Sequence, residues 1–399
     1  MNTLPQIAPT IKKLSLENTT IAFSSKSNFQ LKKAYWLFSL MNKAWLVKLG
    51  TFFIKLAFLL HLPIKKLIRF TVFDQFCGGE NITETEKTIE KLSVENIGTI
   101  LDYSVEGEDN EECFDATAAE ILRTIEKASQ SKSIPFSVFK ITGIASSELL
   151  EKIQDNVNLE GEEKIAFEKV NERLDLLCRR ASKLKVRIFI DAEESWIQDV
   201  IDDLAYQAMR KYNKTETIVF NTFQMYRTEM LENLRCIAKI AKAEGFFVGV
   251  KLVRGAYIEK ERLRSHEDEY KDPIHATKEE TDIDFDAAID FCLENHDTIS
   301  ICLGTHNEKS CVYCTEKMNE MHIEHNDTHI WFAQLLGMSD NISYNLAKSG
   351  YNVAKYVPYG PVEAVMPYLF RRAAENKSIA GQSSREFLLV KQEVERRGC

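Results

Sequence analysis

The sequence predicts an α/β protein, a distorted (β/α)8 barrel of the TIM type that follows a helical N-terminal extension. Short apolar runs rich in β-branched and aromatic residues alternate with longer amphipathic segments, which is typical of a parallel sheet. Eight such runs are present, spread over a length that suits a barrel of about 250 residues. Each run carries a polar residue at or near its C-terminal end, where barrel enzymes place their active sites.

The predicted strands begin after about residue 81 and succeed one another in the chain as Ile97–Val105, Ile134–Thr142, Val186–Glu193, Thr217–Phe223, Phe246–Gly255, Ile299–Asn307, His329–Gly337 and Asn352–Gly360. Helical periodicity is found between them, for example at Cys113–Ser129, Glu162–Leu184, Trp196–Lys211, Met225–Glu244 and Asp282–Asn295. An open doubly wound sheet is the alternative fold. It lacks support, because no G-x-G-x-x-G fingerprint comes after the first strand.

The domain organisation expected is an apolar, basic helical extension at residues 1–80 and a barrel at residues 81–399. Leu31–Phe76 mixes Trp, Phe and Leu with lysines, and Pro63 interrupts it, so a transmembrane span is not expected. Two interpretations stay open: the helices pack on the barrel, or they dock at an anionic membrane surface. The stretch before residue 28 lacks the pattern of a secretory signal and contains no arginine, which is atypical of a mitochondrial leader.

Composition narrows the class of protein further. A net charge of −9 disfavours general nucleic-acid binding, which depends on neutralising phosphates. Nine scattered cysteines indicate reduced thiols in an intracellular protein. Cys311 and Cys314 form the only C-x-x-C; a second such pair is absent and the motif falls in a predicted helix, so no metal site is expected.

The most informative segment is the last strand together with the helical pattern after it, from Tyr356 to Arg372. A Gly-Pro turn leads into this pattern, on which Tyr368, Arg371 and Arg372 lie at i, i+3 and i+4, on one face. Guanidinium groups match carboxylates, so this face predicts a site for a small acid with an apolar body. A solvated basic helix face is the alternative. Other strand ends add candidate polar groups: Glu106, Lys140, Asp191, Asn221, Gln224, Lys251, Arg254 and His306.

The order of these motifs resembles that of the proline dehydrogenases, the flavin enzymes that oxidise proline to 1-pyrroline-5-carboxylate. The resemblance covers about residues 98–376 and rests on five segments: Ile190–Glu194, Lys251–Tyr257, Thr305–Asn307, Leu335–Met338 and Tyr356–Arg372. It implies a distorted (β/α)8 barrel that holds FAD at the strand C-termini, with the eighth helix closing the pocket. No motif of the first 80 residues contributes to it.

The resemblance also implies roles for individual residues. Lys140, Arg371 and Arg372 match the positions that bind the substrate carboxylate, and Asp191 matches an aspartate between flavin and substrate. Aromatic residues around the pyrrolidine ring are matched by Tyr257, Tyr356 and Tyr368. Glu106 matches an acid that pairs with the first arginine and gates the site. Flavin contacts are implied for Asn221, Gln224, Lys251, Arg254, Gly255, Ala256, Tyr257, Thr305, His306 and Asn307.

Three positions depart from the usual family pattern. Lys251 stands where many members have arginine, Arg254 where lysine is commoner, and Asn221 where others have glutamine. Tyr368 favours proline over hydroxyproline, since hydroxyproline dehydrogenases tend to have a smaller residue there. The free N–H groups of the helix that Thr305–Asn307 opens are expected to receive the FAD pyrophosphate.

The resemblance implies L-proline as substrate, FAD as cofactor and a membrane quinone as electron acceptor. The expected location is the bacterial cytoplasm, with peripheral contact on the inner membrane, or the mitochondrion if the source is a eukaryote. Two other functions are the alternatives. A phosphate-binding barrel lyase or isomerase would contain no flavin, and a catalytically inactive membrane scaffold would not need Lys140, Asp191, Tyr356 and the arginine pair.

Overall fold

The computed structural model describes residues 14–105, 109–378 and 382–399. Its centre is a closed barrel of eight parallel strands that pair in chain order, with the last strand returning to the first. The strands β1 to β8 are Ile97–Tyr103, Phe136–Lys140, Arg187–Asp191, Val219–Gln224, Val248–Val253, Ile299–Gly304, Ile330–Leu335 and Val353–Tyr359. The predicted barrel is therefore confirmed.

Helices α1 to α17 cover Thr19–Ala22, Asn28–Met41, Ala44–Leu59, Lys65–Ile68, Asp74–Phe76, Ile82–Ser93, Glu111–Ser129, Ser147–Gln154, Glu162–Leu184, Ser195–Tyr212, Met230–Glu244, Ile258–Glu267, Lys278–Glu294, Glu308–Glu320, Asp340–Lys348, Met366–Ser378 and Gln382–Arg397. A π-helical turn, Arg69–Phe73, joins α4 to α5, and a 3-10 turn, Ile141–Gly143, comes directly after β2. The helical character expected of the extension is confirmed for its described residues.

Several element boundaries differ from those predicted. Most predicted strands run too far at their C-terminal ends, because the polar residues there belong to loops; Thr305–Asn307, for example, leads into α14. The helix predicted from Met225 begins five residues later. The chain first continues alongside β5, where the amides of Met225 and Tyr226 donate to the carbonyls of Val253 and Arg254.

The barrel interior is filled by the inward-facing residues of alternate positions. Its apolar layer contains Ile100, Phe136, Val138, Phe189, Phe220, Cys302, Ala333, Ala354 and Tyr356. Phe136 and Phe189 stack with their ring centres 4.3 Å apart. Because side chains alternate between the two faces of a strand, the residues two positions further on, such as Asp102, Lys140 and Asp191, face the C-terminal end of the same lumen.

A second hydrophobic cluster lies outside the barrel and joins the N-terminal helices to α16 and α17. Its buried members include Leu31 and Phe38 of α2, Leu369 of α16 and Leu389 of α17. The first of the two interpretations of Leu31–Phe76 is thus confirmed for the inner faces of these helices. The domain boundary at residue 80 stays a prediction.

Close backbone approach ties the extension to the barrel at Gly337, after β7. Its φ of +76° is one that only glycine adopts easily, and a Cβ there would lie 2.0 Å from the Gln75 carbonyl oxygen. The Gln75 side-chain amide donates to the Gly337 carbonyl at 2.9 Å.

No single helix in the described ranges is long and apolar enough to cross a membrane. By length and composition alone, one bent pair passes the same test, Asn28–Met41 with Trp45–Leu59, at 99° to each other.

Candidate active site

Three strands that are not neighbours meet through their side chains inside the barrel mouth. Lys251 of β5 donates from Nζ to Asp191 Oδ1 of β3 at 2.5 Å and to the Tyr356 hydroxyl of β8 at 2.6 Å. Bonds between these strands must cross the lumen, so the structure brings these three predicted residues together. The Lys251 ammonium also lies 4.6 Å from the centre of the Tyr356 ring, a favourable cation–π distance.

The two oxygens of Asp191 have different surroundings. Oδ1 accepts hydrogen bonds from the Lys251 ammonium and, at 3.4 Å, from the Tyr356 hydroxyl. Oδ2 accepts no hydrogen bond from the residues that the structure describes. The Asp191 side chain is 19% exposed, so solvent or a ligand reaches it from the mouth. Burial, followed by the Asp191 charge, raises the pKa of Tyr356 well above its usual value. Tyr356 is therefore a protonated donor.

A second group gathers at the end of β2. Lys140 Nζ donates to the hydroxyl of Tyr257 at 3.2 Å, just before α12. The pKa of Lys140 is raised, chiefly by Tyr257 and also by Glu193 and Asp191, against burial and the positive charge of nearby Arg371. Tyr257 itself has a raised pKa, mainly through burial, and stays neutral, so the carboxylates keep Lys140 charged. The positive charge of Arg371 on α16 thus acts on Lys140 at the end of β2.

The rest of the arginine segment lies beside this group. Arg371 is exposed and Arg372 is half-buried, with its guanidinium carbon 5.2 Å from the centre of the Tyr368 ring. Tyr368 is buried in the second hydrophobic cluster. The predicted gate, Glu106, lies outside the described residues.

Asp102 is a site residue that sequence reasoning missed. It faces the lumen at the end of β1, where Ser104 donates to its Oδ2 at 2.6 Å. Its pKa is raised, first by burial and then by Asp191, while Lys140 and Lys251 oppose the shift. The available signal was an acid within the apolar run Ile97–Tyr103.

The Arg254 side chain connects three segments by hydrogen bonds. Its guanidinium donates to Asp282 Oδ1 at 2.7 Å, to Thr305 Oγ1 at 2.7 Å and to Ser310 Oγ at 3.0 Å. Arg254 therefore fixes the loop between β6 and α14. The next residue, Gly255, has a φ of +132°, and a Cβ there would collide with the Tyr226 ring at 2.5 Å. Ala256 is exposed beside it.

The start of α14 differs from the expectation of free N–H groups. Asn307 caps this helix, and its side-chain oxygen accepts from the amides of Lys309 at 2.9 Å and Ser310 at 3.3 Å. The Asn307 amide is bonded to Thr305 Oγ1 at 3.1 Å. A pyrophosphate would have to displace these contacts. The amides of Lys309 and Ser310 are therefore satisfied by the cap, and a pyrophosphate contact at this helix start stays a prediction.

His306 is neutral in this environment. Its Nδ1 lies 2.8 Å from Ser339 Oγ. Burial, together with the positive charges of Lys355 and Arg372, lowers its pKa to about 3. His306 is therefore placed near Arg372 as an uncharged hydrogen-bonding group.

The two side-chain amides of β4, those of Asn221 and Gln224, lie on opposite faces of the strand. Asn221 points outward and donates to Asp202 of α10 at 2.7 Å, so the structure does not bring it to the lumen. Gln224 lies four residues after Phe220 and therefore faces the lumen, as Phe220 does. Its Nε2 donates to the Glu193 carbonyl at 2.7 Å, and its buried Oε1 has no hydrogen-bond partner in the described part of the chain.

Cys311 and Cys314 lie buried on α14 as free thiols. Within the described ranges, no group of His, Cys, Asp and Glu side chains has an arrangement that would hold a metal ion.

A closed parallel barrel whose ionisable side chains converge at the strand C-termini defines the class of TIM-barrel enzymes. The sequence model described as "Proline dehydrogenase" matches residues 85–385. The chain belongs to the proline dehydrogenase family.

Individual relatives agree with this assignment. The chain is 33% identical over 380 residues to "Proline dehydrogenase 1, mitochondrial" of Dictyostelium discoideum, a match covering 84% of this chain and 66% of that protein. It is 38% identical over 239 residues to the human protein of the same name, a match covering 59% of this chain and 40% of the human protein. "Carbapenem antibiotics biosynthesis protein CarD" of Pectobacterium carotovorum is 33% identical over 322 residues, covering 81% and 83%. The chain thus spans less than two thirds of the slime-mould and human proteins.

Solved structures show the same fold. Proline utilization A from Bdellovibrio bacteriovorus superposes with a TM-score of 0.70 at 19% identity, covering 90% of this chain and 38% of that one. A variant of the Bradyrhizobium japonicum protein of that name superposes with a TM-score of 0.65 at 18% identity, and the match covers 78% of this chain and 31% of that one.

Proposed function

We propose that this protein oxidises L-proline to 1-pyrroline-5-carboxylate with FAD as cofactor and passes the electrons to a membrane quinone, the first step in degrading proline to glutamate. Membership of the family supports the substrate. The observation that carries the proposal is the cluster of side chains at the barrel mouth, where Lys251 Nζ donates to Asp191 Oδ1 and to the Tyr356 hydroxyl while Lys140 Nζ donates to the Tyr257 hydroxyl. The Lys140 ammonium is a charged donor at this mouth, and a substrate carboxylate is a suitable acceptor for it.

The donor set of the lumen suits a flavin. An isoalloxazine ring presents an N–H donor and acceptor atoms on one edge. Gln224 Oε1 is a buried acceptor in need of a donor, and Lys251, one inward position deeper, is a cation. These two residues, with the loop that Arg254 braces, would hold the cofactor. When bound, the flavin supplies the acceptor for the hydride that leaves the substrate carbon.

The residues of the chain have separate tasks in this reaction. Lys140 and Arg371 would bind the carboxylate, with Arg372 beside them, and fix the carbon next to nitrogen in one position. Asp191 Oδ2 would accept a hydrogen bond from the substrate nitrogen, because Oδ1 is already taken. Lys251 would keep Asp191 in place through its hydrogen bond to Oδ1 and add positive charge where negative charge develops. Tyr257, Tyr356 and Tyr368 would exclude water.

The acceptor proposed is a quinone, which is confined to a membrane, so the enzyme is expected to contact one. For a bacterial source this is the cytoplasmic face of the inner membrane; two of the relatives compared above are named as mitochondrial.

The test is an absorption spectrum of the purified protein before and after anaerobic addition of proline. We expect a flavin spectrum that bleaches with proline and does not bleach with the same concentration of glycine. Protein that folds without flavin, or a flavin that proline leaves oxidised, overturns the proposal.

A further inference from the structure

Helix α3 is apolar on both of its long faces. Val47, Ile54 and Phe58 pack against the second hydrophobic cluster. On the opposite side, five exposed apolar residues recur at intervals of four and three, so they form one stripe along the helix: Trp45, Leu49, Phe52, Leu56 and Leu59. We call these five residues the outer stripe. A helix that is apolar all round is normally covered on all sides.

Exposed apolar side chains are concentrated around this stripe. Of the 24 exposed large hydrophobic residues in the described part of the chain, 13 lie between Phe29 and Phe70. Phe52 is 60% exposed and Leu59 is 74% exposed. Such a concentration is unusual for a surface that faces only water.

The charge of the same region is one-sided. Residues 28–73 contain eight lysines and arginines and no aspartate or glutamate, while the whole chain has a net charge of −9, which leaves −17 for the rest. Some of these cations pair with acids elsewhere. Five exposed lysines have no ion pair with any described residue: Lys32, Lys43, Lys48, Lys55 and Lys66. An apolar stripe flanked by unpaired cations complements an anionic lipid surface.

We propose that α3 lies in the plane of an anionic membrane, with its outer stripe among the acyl chains and the five lysines at the phosphate headgroups. The inner face of α3 stays on the protein, which keeps the helix parallel to the surface. The inference rests on the proposed function only in one respect: the proposed quinone acceptor is the reason why the enzyme would need to contact a membrane.

The position of α3 connects this surface to the barrel mouth. Lys55 Nζ lies 5.7 Å from the centre of the Phe370 ring on α16, and Phe370 directly precedes Arg371. The membrane surface is therefore one helix away from the residues that would bind proline.

The experiment is cosedimentation of the full-length protein with phosphatidylcholine vesicles, with and without phosphatidylglycerol. The double variant Phe52→Ser with Leu59→Ser removes two members of the outer stripe and should lower partitioning into anionic vesicles at least about tenfold. Its control, Ile165→Ser with Ile283→Ser, removes two apolar residues that are 55% and 67% exposed on other helices and should bind as the parent does.

The charge contribution is tested separately with Lys43→Gln and Lys48→Gln. Each lysine near an anionic surface contributes about fivefold, so the pair should lower partitioning on the order of 30-fold at low salt. Lys239→Gln with Lys242→Gln, on α11, is the matched control.

Activity with a soluble dye acceptor separates this proposal from the proposed function, since all variants should retain the parent's activity. Failure to bind anionic vesicles overturns the membrane proposal even if dye activity is normal. Binding that neither double variant weakens also overturns it, as does a lipid-free dimer that Phe52→Ser with Leu59→Ser dissociates. Lipid binding without dye activity would instead overturn the proposed function, while the assignment of α3 as the membrane-binding surface would still hold.

Discussion

Replacing Lys140 with methionine tests the carboxylate site most directly. Methionine keeps the length and apolar stem of lysine but removes the charge. Lys140 is half-buried at the mouth and donates to the Tyr257 hydroxyl at 3.2 Å, a contact that does not involve substrate. The variant should therefore fold and bind flavin, and its defect should appear in the binding of proline.

The expected size of the defect depends on the surroundings of each cation. A hydrogen bond to a charged group contributes about 1.5–3 kcal/mol, which corresponds to roughly 10- to 150-fold in KM. Lys140, inside the mouth, should lie near the upper end of that range. Arg371 is exposed on α16, so Arg371→Met should lie near the lower end. Tyr257→Phe removes only a neutral partner of Lys140 and should cost less than about tenfold.

The assay is steady-state oxidation of proline with a soluble dye acceptor, with the flavin content of each variant measured by absorbance. Lys164→Met, an exposed lysine on α9, is the control for a general effect of losing one charge. A Lys140→Met enzyme that holds flavin and whose KM stays within about threefold of the parent would refute the assignment, because a hydrogen bond to a charged group is expected to contribute more than that.

Three further predictions concern individual side chains. Tyr368→Ser should raise activity on hydroxyproline relative to proline by making room for a hydroxyl; an unchanged ratio of kcat/KM would remove Tyr368 from the pocket. Lys251→Met should lower kcat by about 100-fold or more, while Lys251→Arg should keep most of it; equal losses would show that the cation is not what matters. Burial raises the pKa of Glu386 to about 7 from an ordinary 4.5, so folding stability should fall as pH rises between those values. Glu386→Gln should flatten that fall in a series of melting temperatures, and an unchanged slope would contradict it.

The barrel and most of its charged mouth could be predicted because both depend on local pattern. Buried parallel strands are short apolar runs, and their C-terminal ends are the first place where a charged residue can meet solvent. Lys140 and Asp191 end such runs, so the sequence identified them. Tyr356 was found differently, through its place in the segment that leads to the arginine pair.

Two of the differences depend on the face of the strand on which a side chain lies. A displacement of one residue turns a side chain from the lumen to the helices outside. Asn221 and Gln224 are three residues apart and therefore lie on opposite faces, although both were predicted to be cofactor ligands. Asp102 was overlooked for the same reason: only the pairing of β1 with β8 shows that it shares the lumen with Asp191.

The extension posed a different problem, since a helix that is apolar on both faces fits two environments equally well. Sequence periodicity cannot divide such a helix into a packed side and an open side. The structure does so for α3, where Ile54 lies against the second cluster and Phe52 is exposed.

The position of α16 explains why the extension belongs to the site. This helix comes after the last strand of the barrel and is not held between two strands, so its place over the barrel depends on side-chain packing. It carries Arg371, whose charge acts on Lys140, and its Leu369 packs in the cluster that α2 and α17 share. Buried Glu386 of α17 accepts a hydrogen bond from the Ser339 amide, and Ser339 bonds to His306 near Arg372. The arginines that would bind proline are thus positioned from outside the barrel. If these arginines bind proline as proposed, the residues before β1 would contribute to substrate binding by packing against the helix that carries them.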